Sequence, residues 1–212
     1  MNAVAQAKMA PQIAEDSAKR RQIIEGARDV FLAQGFDAAS MNDIARAAGV
    51  SKGTLYVYFD TKEQLFQEIV HEECELHAEI TFSLDPNDHD VEAVLTRLGL
   101  SFLEFLCRPQ KASALRTVIA IADRMPEIGK VFYETGPELG IAKLADYLRA
   151  QTEAGVLAVE DYEVAAAQFL DACQSTIFKP VLFNFRSAPP RERMDYVIGI
   201  AVKTFLAAYR AR

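Results

Sequence analysis

Residues 40–59, SMNDIARAAGVSKGTLYVYF, place two helix starts and a sharp turn within a few positions of each other. Ser40 is followed three residues on by Asp43, a Ser-x-x-Asp pair that closes a capping box at the start of one helix. Ser51, just after Gly49-Val50, caps a second helix predicted from about Lys52 to Tyr58, and Thr61-x-x-Gln64 opens a third. One long helix does not fit so many starts. Gly49 supplies the positive φ that an abrupt helix-to-helix turn requires. Ala45, flanked by Ile44 and Val50, is small enough for two helices to cross closely, and Leu55 returns an apolar side chain to the shared core. This spacing specifies a helix-turn-helix, whose second helix enters the major groove. The same caps would serve two buried helices that touch no ligand. Against that, the exposed face of the second helix carries Lys52, Thr54, Tyr56 and Tyr58, a cation and three hydroxyls suited to phosphate oxygens and base edges.

These residues resemble the TetR family of transcriptional regulators. The likeness runs from about Arg21 to Glu68 through Phe31, Gly35-Phe36, Ser40, Ile44-Ala45, Ala48-Gly49-Val50-Ser51, Gly53-Thr54-Leu55-Tyr56, Tyr58-Phe59 and Lys62-Glu63-x-Leu65. The resemblance implies an all-α chain, a three-helix DNA-binding head followed by a larger helical body that senses a ligand and dimerises. The chain is expected to divide into a disordered extension over residues 1–16, a head over 17–60 and a body over 61–212. It assigns DNA contact to Lys52, Thr54, Tyr56, Tyr58 and Lys62, and more loosely to Ser40 and Asn42. Ser51 belongs to the same stretch, and Gly53 would let the backbone approach the duplex. A segment of the body, Gly136-Pro137-Glu-Leu-Gly140 with Gly155-Val-Leu157, resembles regulators that control efflux pumps.

A net charge of −7 looks wrong for a DNA binder until the chain is divided. Residues 1–60 carry seven basic and seven acidic side chains, so the whole deficit lies in 61–212. A neutral head argues against strong non-specific binding, which needs many neutralised phosphates. It suits a dimer that places two modest contact sets on two half-sites of a palindromic double-stranded operator. Three widely spaced cysteines without a Cys-x-x-Cys fit a reducing compartment. No signal-peptide pattern and no apolar run of transmembrane length is visible, so the expectation is cytoplasmic with no membrane partner.

The remainder reads as helices over about 17–34, closed by Gly35, then 61–82, 91–107, 111–124, 127–151, 161–178 and 189–211. The 127–151 helix is expected to break near Gly136-Pro137. The last two helices are apolar around more than one face and rich in alanine, which suits a homodimer built from both. Closing a monomer's own core would use the same faces. Phe102, Phe105, Leu106, Leu115, Met125, Phe132, Tyr133, Phe169 and Cys173 are the candidate lining of an effector pocket, equally readable as plain core. Without a buried charge among them, the small-molecule effector is expected to be apolar or aromatic.

One alternative uses His71-x-x-Cys74-x-x-His77 on the fourth helix as a metal sensor, although at 100° per residue the three strain to converge. Another is a dimeric DNA-binding protein without a small-molecule ligand. No metal or cofactor is expected. An enzyme is not expected either: there is no Gly-x-Ser-x-Gly elbow and no glycine-rich phosphate loop.

Overall fold

The computed structural model describes the backbone of residues 3–211 and the side chains of residues 16–211. Within them the chain is helical, with one isolated backbone bridge between Leu157 and Arg210. It divides into two compact units, 1–72 and 73–212. The expected boundary at 60/61 is thus moved into the middle of α4 (Lys62–Thr81). The reason is packing: Leu65, Phe66, Ile69 and Val70 of α4 are buried, and Phe66 meets Phe31 edge-on at 5.2 Å and Phe36 at 5.1 Å.

In the first unit, α1 (Ala3–Ala38) is interrupted at Gly35, whose φ of 76° and ψ of 169° stop the helix where the sequence predicts. Residues 3–16, expected as a disordered extension, continue α1 as helical backbone; alanines at 3, 5, 7, 10 and 14 have the highest intrinsic helix propensity. α2 (Met41–Ala47) and α3 (Lys52–Tyr58) follow, joined through Gly49 at φ 63°. The closest crossing is not at Ala45. It lies between Gly26 of α1 and Ala48, where a Cβ on residue 26 would fall 2.6 Å from the Ala48 Cα.

In the second unit, α5 (Val91–Leu106), α9 (Tyr162–Gln174) and α11 (Arg191–Tyr209) cross at Gly99, where an added Cβ would sit 3.1 Å from both Cys173 Sγ and Ile198 Cγ2. α6 (Pro109–Ala122) starts two residues before its predicted position because Pro109 serves as the first helical residue, where a missing N–H costs nothing. The predicted 127–151 helix is α7 (Pro126–Tyr133) and α8 (Leu139–Glu153), joined by a wide π-turn over Glu134–Glu138 that accommodates Pro137. α9 ends four residues early, since Thr176 takes φ 61°, and a short α10 (Phe178–Leu182) follows. Gln151, fully buried, donates to the Pro86 carbonyl at 2.8 Å and pairs with His89 Nδ1 at 2.8 Å, holding the 83–90 loop on α8.

Candidate nucleic-acid interface

The reading pair is assembled by its caps. Ser40 Oγ accepts from the Asp43 N–H at 3.2 Å and donates to Asp43 Oδ2 at 2.5 Å, which fixes the first turn of α2. Ser51 Oγ accepts from the Thr54 N–H at 3.0 Å and lies 2.8 Å from Thr54 Oγ1, fixing α3. Leu55 is fully buried under α3, and this one anchor turns the opposite face of the helix outward. Gln22 of α1, unremarked in the sequence, donates from Nε2 to the Ala48 carbonyl at 2.6 Å and closes the end of α2.

The outward face of α3 holds Lys52, Gly53, Tyr56 and Val57. Lys52 Nζ lies 5.9 Å from the Tyr56 ring centroid, so the cation and the aromatic sit together on this face. Beside Gly53 an added Cβ would meet nothing nearer than Ser51 Oγ at 3.8 Å, leaving the backbone open to approach. Val57 is 79% exposed, the most exposed large apolar side chain here, and sequence reasoning passed over it because a valine carries no polar group to suggest recognition. Its methyls suit the thymine methyl in the major groove. Asn42 is exposed on α2.

Two expected contacts are placed differently. Tyr58 is half-buried and its hydroxyl donates to Asp16 Oδ1 at 2.6 Å, back toward α1. Lys62 turns its ammonium onto the carbonyls of Phe36, Asp37 and Ala39 at 2.9, 3.1 and 3.0 Å. The basic run at 19–21 is also partly engaged: Lys19 donates to Gln22 Oε1 at 2.9 Å, and Arg20 pairs with Glu68 at 2.7 Å.

In the body the nine candidate pocket residues separate. Phe169 and Cys173 are core, Phe169 edge-on to Phe205 at 5.6 Å and Cys173 wedged against Gly99. Phe102, Phe105, Leu106, Leu115, Met125 and Phe132 are half-buried, whereas Tyr133 is 55% exposed. The metal-sensing alternative finds no support. Burial pushes the Cys74 thiol up to about 11, and its sulfur lies against Thr135 and Gly136. His77 stacks on Phe105 and bonds Thr81 Oγ1 at 2.9 Å, and among the described residues no three ligating side chains converge.

The model of the bacterial regulatory proteins of the tetR family matches residues 23–69, and that of the AefR-like transcriptional repressor C-terminal domain matches residues 93–211. An HTH-type transcriptional repressor of Mycobacterium tuberculosis is 31% identical over 151 residues, covering 68% of this chain and 73% of the relative. A putative TetR-family regulator from Mesorhizobium loti superimposes with a TM-score of 0.87 at 29% identity, over 92% of this chain and 98% of that one. A flavonoid-responsive regulator, FrrA, does so with 0.80 at 32%, over 92% and 99%. Among the described residues no helix is long and apolar enough to cross a membrane. With a capped helix-turn-helix in front and an AefR-like body matching more than half its length, this chain belongs to the TetR family of DNA-binding transcriptional regulators.

Proposed function

We propose that the protein is a homodimeric repressor that leaves a palindromic operator when its body binds a small apolar or aromatic molecule. The observation that carries this reading is α4, one unbroken helix with its first turns in the DNA-binding unit and its end in the body. Its body end is fastened at several points. Glu73 pairs with Lys111, Glu79 pairs with Lys143 at 3.1 Å, and Phe82 fills the notch at Gly140, where a Cβ would come within 2.9 Å of the ring. A molecule that shifts these seats moves the helix that carries the head. The likeness to a flavonoid-responsive regulator supports an aromatic ligand, and the rings of Phe102, Phe105 and Phe132 are each half-buried in the body. Lys52, Tyr56, Thr54 and Val57 would read the duplex, with Asn42 at its edge.

Support for the dimer comes from the outer faces of α9 and α11. Both bury one side in the body's own core, yet Tyr196 is 60% and Ile200 50% exposed, beside Gly199 with open space around it. These faces suit an isologous contact with a second copy. The reading is tested by thermal shift in the presence of planar aromatic compounds and, separately, zinc. Stabilisation by an aromatic compound that also releases a bound duplex is the expected result. Stabilisation by zinc alone, or by neither, would remove the small-molecule reading.

A further inference from the structure

Lys62 begins α4, and resemblance alone makes it a DNA contact. Its chemistry in the head is different. An ammonium has three N–H donors, and here three backbone carbonyls receive them, from Phe36, Asp37 and Ala39, at 2.9–3.1 Å. The same nitrogen stands 4.8 Å over the Phe36 ring, which packs on Phe31 and Phe66. The acceptors belong to the 36–39 segment that follows Gly35, and α1 has no basic residue in its last turn. The next residue after Ala39 is Ser40, the N-cap of α2. One side chain thus ties the first turn of α4 to the short segment from which the reading pair departs.

We propose that Lys62 is a positioning residue for DNA binding: it locks α2 and α3 to α4 through the 36–39 segment and makes no phosphate contact. This rests on the outward face of α3 being the face that meets the duplex. The lock also gives α4 a handle on the reading helices within the head itself, so that a movement of its first turn pulls on Ser40.

The experiment uses the full-length chain and a duplex selected by it from a random pool. Lys62→Met should bind that duplex about tenfold more weakly, with the slope of log affinity against log salt unchanged, and Lys62→Arg should recover most of the loss by donating to the same carbonyls. A slope shallower by about one unit, with equal losses on random duplex, would mean a phosphate contact and overturn the proposal. So would unchanged affinity in the Met variant. Should that variant fold poorly, the wild-type chain decides by NMR of the Lys62 ammonium. Its nitrogen shift and slow proton exchange should persist on adding the duplex, whereas a coupling to backbone phosphorus would refute the assignment. Lys52→Ala run alongside separates the two readings: a flattened slope there confirms the α3 face, and its absence would fault that face while the Lys62 ammonium is still read directly.

Discussion

Gly26 stands where α1 crosses the end of α2, and the atoms a Cβ would strike are the backbone of Ala48. Backbone cannot yield as a side-chain tip does, so Gly26→Ala is expected to destabilise the chain by about 1–3 kcal/mol, seen as a lower urea midpoint at unchanged slope. A wild-type midpoint would show the crossing to be soft. On the reading face, Lys52→Ala should flatten the salt dependence of duplex binding by about one unit per protomer, and Tyr56→Ala should weaken it by about tenfold or more. Equal losses on selected and random duplex would reassign Tyr56 to the DNA backbone. In the body, His77 is held down at about 4, first by burial, then by the charges of Lys111 and Arg108. The folded chain keeps it neutral while the unfolded chain takes up a proton, so stability should fall as pH drops from about 6.5 to about 4. His77→Phe, which keeps a ring against Phe105, should flatten that limb by on the order of 1 kcal/mol, solvent screening part of the charge; an unaltered limb would locate the proton uptake elsewhere. Ser40, Gly49, Ser51 and Leu55 were legible in the sequence because caps, turns and anchors are local chemistry. Gly26, Gln22 and Lys62 were not, since each meets a partner more than twenty residues away.

Element by element, apolar periodicity with glycine and proline punctuation located the helices, and proline placed the break in the 127–151 segment at the observed π-turn. Periodicity erred where the backbone changed hand without glycine. Thr176-Ile177-Phe178 continues an apolar pattern, but a β-branched residue at φ 61° ends α9, an exposed threonine whose Oγ1 accepts from Arg193 at 3.2 Å. It erred again on the pocket, because Phe169 and Cys173 share the composition of a ligand lining while closing the core at Gly99. In the proposed mechanism α4 carries the coupling, and its body end offers a test of it. Gly140→Ala would press on the Phe82 ring and shift the end of α4 without touching the head. Duplex affinity is expected to fall several-fold in this variant, while circular dichroism stays that of wild type. Adding Phe82→Leu, which vacates the tip of the ring, should restore it. Undiminished affinity in the single variant, or no rescue in the double, would show that this seat does not control the head.

Across the whole molecule, the charge is arranged by function: the acidic surplus belongs to 61–212 and the head is balanced. In the proposed reading, binding strength on DNA comes from two heads on two half-sites, and sedimentation should find a dimer at micromolar concentration. A monomer with full duplex affinity would sink that expectation. A dimer on a two-fold operator also fixes how a ligand acts. Reading helices set one groove repeat apart hold the body in one arrangement, and a ligand that prefers another arrangement must be bound less well while the duplex is in place. Linkage makes this reciprocal, with a coupling of about 1–3 kcal/mol, or about 5- to 150-fold in affinity. The measurement is a pair of calorimetric titrations with one aromatic compound found by thermal shift, with and without saturating selected duplex. Weaker ligand binding in the presence of duplex, by the same factor by which the ligand weakens the duplex, is the expected outcome. Equal affinities in the two titrations would mean that the body binds its ligand without controlling the head.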